Sequence, residues 1–159
     1  MAFALPEQKL TYFMDNVQKS LLSGLTGAIA LTLLHETVRR FVPEAPRADI
    51  LGMRAIAKGY KAANKELPDE DTLHQMALAG DVVSNSLYYS LVGLSKGKDT
   101  MLFGAALGAL AGVGALVLPG PMKLGEAPTN RTRETMAMTV AWYFIGGIAA
   151  AGAYELLDE

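Results

Sequence analysis

Two long uncharged stretches constrain this chain more than any other feature. Residues 100–122 (TMLFGAALGALAGVGALVLPGPM) and 135–154 (TMAMTVAWYFIGGIAAAGAY) run for 23 and 20 residues without a charged side chain. A helix needs about 20 mostly apolar residues to cross the hydrocarbon of a bilayer. Helices of soluble domains average about 11–12 residues and carry a polar stripe. These two stretches are apolar all round and nearly twice that length, so both read as membrane spans. Charged residues make up only 19% of the chain, against about 25% in ordinary soluble domains.

Two more polar segments reach a similar length. Residues 20–34 (SLLSGLTGAIALTLL) are uncharged and become long enough once Val17, Lys19 and residues 35–38 are added. Lys19 can snorkel to the interface from near one end. Residues 72–95 have the length but carry Asp81 near the middle. Polar helices of this kind survive in a bilayer by turning their polar faces to partner helices. The expectation is therefore an all-α fold: one integral membrane domain over residues 1–159, built as a four-helix bundle. The spans fall at about 17–38, 72–95, 100–120 and 135–155. The alternative is two spans joined to a soluble helical part. The first 19 residues lack the basic start and apolar core of a signal peptide, so the first span is expected to direct its own insertion.

The distribution of basic residues orients this bundle. Connections 39–71 and 122–134 hold ten Lys and Arg; the opposite side has four, Lys9, Lys19, Lys96 and Lys98. Cytoplasmic loops collect such residues. The two connections are expected in the cytoplasm and both termini outside it, in the inner membrane if the source is bacterial. Overall charge is only -2, from 14 basic and 16 acidic residues. That balance argues against nucleic acid as a partner. There is no cysteine, which excludes disulfides, zinc–cysteine sites, iron–sulfur clusters and thiol catalysis.

Between the first two spans, Pro43 and Pro46 mark a turn and Leu67-Pro68 a stop. A helix over 47–66 places Arg47, Arg54, Lys58, Lys61 and Lys65 in a sector about 60° wide. Met53, Ile56, Tyr60, Ala63 and Leu67 gather on another side. A basic stripe beside an apolar face suits an amphipathic helix lying in the interface, its cations on anionic lipid headgroups. Packing of the apolar side on the protein itself fits the same pattern. Asp69, Glu70 and Asp71 then suit the start of the next helix, where the helix dipole favours negative charge.

The polar chemistry sits on the first two spans. His74, Asp81, Asn85 and Tyr88 follow at spacings of 7, 4 and 3, which makes one stripe along a helix. A charged group near the bilayer centre costs about 2.5–3.5 kcal/mol on insertion scales, so Asp81 must face a partner or a cavity. The stripe reads first as a hydrogen-bonded seam between helices and second as a proton or solute pathway. His35, Glu36, Arg39 and Arg40 form a polar cluster at the end of the first span, with Glu36 and Arg40 in the favourable order for an ion pair. The sequence His35-Glu36-Thr37-Val38-Arg39 lacks the second His of a zinc protease, and no metal site or cofactor is assigned. A set of His35, Glu36, His74 and Asp81 would supply metal ligands only if the chain brought all four together. In the third span Gly104, Gly108 and Gly112 repeat every four residues, the small-xxx-small ridge that lets helices approach closely. That glycine zipper serves packing within the monomer or an oligomer. Trp142 and Tyr154 are placed to anchor the last span at an interface.

These features point to a non-enzymatic, multi-pass protein that acts through helix packing, as an accessory or scaffold component of a membrane assembly. Its expected partners are a bilayer with anionic headgroups and further subunits, whether copies of this chain or members of a complex. The alternatives are a proton, cation or small-solute carrier using the Asp81 stripe, and a membrane enzyme with a His/carboxylate site.

Overall fold

The computed structural model of the chain describes residues 7–95 and 99–159, with side chains from residue 15 onward. It is helical, without a strand among the described residues. The order is α1 (Glu7–Val38), α2 (Ala48–Ala62), α3 (Glu70–Tyr89), α4 (Thr100–Val117), α5 (Ala127–Asn130) and α6 (Arg133–Asp158). A 3-10 helix, Ser90–Ser95, continues α3. Lys9, Lys96 and Lys98, which enter the charge count above, lie outside the residues whose side chains are described.

Three helices are long and apolar enough to cross a membrane. They are the 24 residues Asp15–Val38 of α1, the 18 residues of α4 and the 26 residues of α6. The segment expected as a further span, 72–95, differs from them. Its α-helix stops at Tyr89, and Glu70, Asp71, His74, Gln75 and Asp81 make its first half polar. The short helix between α1 and α3 is also shorter than the expected 47–66. It ends at Ala62, and Asn64 turns away at φ 53°, so Lys65, Ala63 and Leu67 fall beyond it.

Local chemistry sets the helix boundaries. Asp69 caps α3 by accepting from the Thr72 backbone N–H at 2.9 Å and the Thr72 hydroxyl at 2.8 Å. Those bonds, the backbone one foremost, hold the Asp69 carboxyl below its usual range. Thr132 caps α6 by accepting from the Thr135 N–H at 3.1 Å. Pro119, just past α4, lacks the N–H that another helical turn requires.

Helix α6 lies between α4 and α1, α3 packs on α1 and reaches α4 and α6 near its C-terminal end, and α2 packs on α3. Close approach is possible because the facing surfaces are small. A methyl added to Gly104 would lie 2.5 Å from the Gly147 carbonyl, and one on Gly108 would lie 2.6 Å from that of Tyr143. On α1, a methyl at Gly27 would lie 2.6 Å from the Gly146 carbonyl, and one at Gly24 would collide with that of Ser86. The glycine ridge of α4 therefore meets α6 of the same chain. The core between these helices holds Leu31, Tyr89, Trp142, Ala150, Ala151, Val92 and Tyr154. Trp142 and Tyr154 are thus buried, 6% and 2% exposed, and not interface anchors as their positions near the span ends suggested. Trp142 turns inward because His35 of α1 offers it a ring to pack on, with centroids 4.9 Å apart.

The outside of the bundle is apolar. Leu25, Ile29 and Leu33 on α1, Leu102, Leu110 and Val113 on α4, and Phe144 and Ile145 on α6 are all exposed. Leu102 and Leu110 keep 70% and 66% of their surface open. Each would cost about 1.5–3 kcal/mol in water relative to an apolar surrounding, so this surface is suited to lipid.

Candidate functional site

The polar residues gather where α1, α2 and α3 meet, at the end of the bundle that carries α2. The connection after α1 spans only residues 39–47, so α2 must begin beside the end of α1. Its entry is pinned to the start of α6. Thr135 donates to the Glu44 carbonyl at 2.7 Å, the Arg47 N–H to the Pro128 carbonyl at 2.7 Å, and Arg131 to the carbonyls of Pro43 and Ala45. Asp49, in the first turn of α2, is thereby carried into the junction with only 4% of its side chain exposed.

Asp49 organises the charges. Arg47 clamps it through Nε at 2.9 and 3.2 Å and Nη2 at 2.7 Å. Arg39 approaches at 3.7 Å and His74 Nδ1 at 3.9 Å. Burial pushes the Asp49 carboxyl up, but the Arg47 hydrogen bonds and the charges of Arg47 and Arg39 outweigh it, leaving the group below its usual range. The same hydrogen bond raises the Arg47 guanidinium. Arg39 also donates to Glu36 at 2.6 Å and to His74 Nε2 at 3.5 Å.

The stripe of α3 continues this junction into the bundle. Asp81 accepts from Asn85 Nδ2 at 2.9 Å and, more loosely, from the Thr32 hydroxyl at 3.5 Å. Tyr88 donates to the Leu107 carbonyl of α4 at 2.9 Å, and Tyr89 to the Tyr143 carbonyl of α6 at 2.8 Å. A cavity of about 10 Å³ opens between Thr32, His35, Glu36, Arg39, Asp49 and Asp81, with Pro46, Ala48, Ala77 and Leu78 completing its wall. His35, Glu36 and Arg39 from the helix-end cluster and His74 and Asp81 from the α3 stripe, separate in sequence, share this one junction.

Compared with protein-family models, curated proteins and solved structures, the chain matches none. What the junction can do follows from its own residues. Among the described residues no group of three His, Asp or Glu side chains is placed to hold a metal ion. His35, Glu36, His74 and Asp81 are therefore neighbours without forming a ligand set. Arg40 is exposed and stands apart from the cluster.

Of the basic stripe, three cations are engaged by the protein. Arg47 holds Asp49, Arg54 donates to the Leu124 carbonyl at 2.7 Å and Lys58 to the Met122 carbonyl at 2.8 Å. Lys61 and Lys65 are exposed. The apolar side of α2 rests partly on α3, where a methyl at Gly52 would lie 2.9 Å from the Ala77 side chain. Asp49 and Thr32 are the site residues that spacing did not single out. The signal for Asp49 was the short connection after α1. Thr32 had none beyond sharing a helix with His35.

Proposed function

We propose that this chain is a small multi-pass membrane protein that acts non-enzymatically through helix packing, as an accessory or scaffold component of a membrane assembly. The observation that carries this reading is the use made of the α3 stripe. Asp81, Asn85, Tyr88 and Tyr89 direct their polar atoms to one another and to groups on α1, α4 and α6, the pattern of a seam. In this reading α3 is a fourth span. Support comes from its outer line, which turns apolar at Ala79 and continues through Val83 and Leu87 to Leu91 and Leu94 of the 3-10 helix, all exposed. The basic connections lie in the cytoplasm and both termini outside it, on the ten-to-four count of Lys and Arg. Lys61 and Lys65 reach anionic headgroups from α2 and the loop beyond it.

Two substitutions test the seam. Asp81→Asn keeps shape and most hydrogen-bonding capacity, so helix association in detergent should be nearly unchanged. Asp81→Leu removes the acceptor of Asn85 and Thr32 and should cost about 0.6–2 kcal/mol. Proteoliposomes of the wild type should show no proton or cation flux that Asn abolishes. A flux lost in a folded Asn variant would replace this reading with a carrier.

A further inference from the structure

The cavity at the C-terminal end of α1 is lined by two residues that carry buried polar atoms with incomplete bonding. His35 is 6% exposed, and among the described residues its Nε2 has no hydrogen-bond partner; Arg39 Nε, also buried, has none there either. Both residues line the cavity. A buried N–H left unpaired costs about 1–3 kcal/mol, and buried polar groups are commonly satisfied by water. The space, about 10 Å³, matches one water molecule, which needs roughly 10–15 Å³ and two to four polar partners. Arg39 Nε–H can only donate, so the occupant must accept. The carboxylates of Glu36, Asp49 and Asp81 can only accept when ionised, so it must also donate. Water does both.

Asp81 differs from the other carboxylates around this space. Glu36 and Asp49 each have an arginine within 2.7 Å. Among the described residues Asp81 receives only the neutral donors Asn85 and Thr32. Its surroundings bring charge from each side. Glu36 and the ring of His35 come from α1, Arg39 and Arg47 from the connection after it, Asp49 from α2, and His74 from α3 itself, while Tyr143 of α6 lies behind His35. An ionised carboxylate without a cationic partner is disfavoured away from water. Asp81 keeps part of its own surface open beside the exposed Gly80 and Ser84; resting on the four-span reading, in which that opening faces lipid, the aqueous way out is one-sided. Toward the α2 end, Glu36, Arg39 and His74 keep 20%, 22% and 28% of their side chains open. Toward the middle of the bundle lie Ala28, Leu31 and Tyr89, each 0% exposed.

We propose that this cavity holds one water molecule, and that through it the Asp81 carboxyl takes up and releases a proton from the aqueous phase at the α2 end alone. In uptake an O–H bond of a hydronium breaks, an O–H bond forms at Asp81, and a neutral water remains. No electron acceptor or second reactant is needed. This goes beyond the scaffold reading, because one-sided exchange produces no flux across the bilayer. It makes the α1–α3 seam responsive to pH on one side of the membrane.

The test uses the full chain in lipid nanodiscs, with the proton and deuteron as probes and infrared absorption of protonated carboxyls as readout. A band present in the wild type between about pH 4 and pH 9 should vanish in Asp81→Asn. On transfer to D2O it should shift promptly in the wild type. In Ala48→Leu, whose side chain occupies the cavity, the shift should slow about tenfold or more as the water is expelled. His35→Phe, which keeps a ring against Trp142 but removes the unpaired nitrogen, should slow it in the same direction and serves if Ala48→Leu loses its helical circular dichroism. No band lost in Asp81→Asn would overturn the proposal. So would exchange as fast as wild type in a folded cavity variant.

Discussion

Asp49→Asn tests the junction where its charges are most concentrated. The substitution keeps the volume and one acceptor oxygen but removes the charge that holds Arg47 at 2.7–3.2 Å. Hydrogen bonds to charged groups contribute about 1.5–3 kcal/mol each in net terms. Stripping one member from a fully buried pair costs about 3–5 kcal/mol. Here the pair is unequal, with Asp49 4% exposed and Arg47 38%. The freed guanidinium can turn to water, so the loss should fall below the buried-pair range, near 2 kcal/mol, or about thirtyfold in the folded-to-unfolded ratio. Unfolding in mixed detergent micelles, followed by helical circular dichroism at neutral pH, measures this. The acid limb provides a second measure. The folded-state carboxyl lies below its ordinary 3.8. Its contribution is therefore complete above that value and is lost as pH falls through the lower folded-state value. The gap between wild type and Asp49→Asn should close only in that acid window. A variant within about 0.5 kcal/mol of wild type, the range of an ordinary surface change, would refute the account. So would a gap that stays constant into acid.

Other substitutions read the helix contacts. Gly108→Ala places a methyl 2.6 Å from the Tyr143 carbonyl and 2.7 Å from Phe144 Cα, and should destabilise the α4–α6 contact by about 1–3 kcal/mol in the same unfolding assay. Gly152→Ala, with nothing within 4 Å of the added carbon, should leave stability unchanged or slightly raised. Gly59→Ala on α2 also meets nothing within 4 Å and should stabilise by about 0.5–1 kcal/mol, because alanine loses less chain entropy on folding. Leu110→Arg, on the open face of α4, should impair insertion by about 2.5–3.5 kcal/mol, seen as protein lost from the membrane fraction.

Helical type was legible in the sequence because the signal was long. The uncharged runs 100–122 and 135–154 leave few alternatives once their length is set against a bilayer. The 72–95 segment was harder to read. Its composition averages a polar first half with an apolar second half, and only the fold shows that Val83 and Leu87 face outward while Asn85 and Tyr89 face in. The stripe of His74, Asp81, Asn85 and Tyr88 was visible from helical periodicity alone. That Asp81 bonds within the stripe to Asn85 while Tyr88 reaches α4 was not, since periodicity does not name the neighbour. For the same reason the basic stripe of α2 did not disclose that Arg54 and Lys58 are engaged by the carbonyls of residues 124 and 122. Those carbonyls lie more than sixty residues away, and backbone acceptors carry no sequence signature.

In the proposed topology the helices cross a bilayer with the α2 end in the cytoplasm. A chain with no native cysteine allows single-cysteine accessibility to test this without background. Lys61→Cys and Glu155→Cys lie on exposed positions, the first on α2 and the second near the end of α6, where Lys19 pairs with Asp158 at 3.1 Å. In intact cells an impermeant maleimide should label Glu155→Cys and spare Lys61→Cys until the membrane is opened. Labelling of Lys61→Cys from outside intact cells would contradict the account.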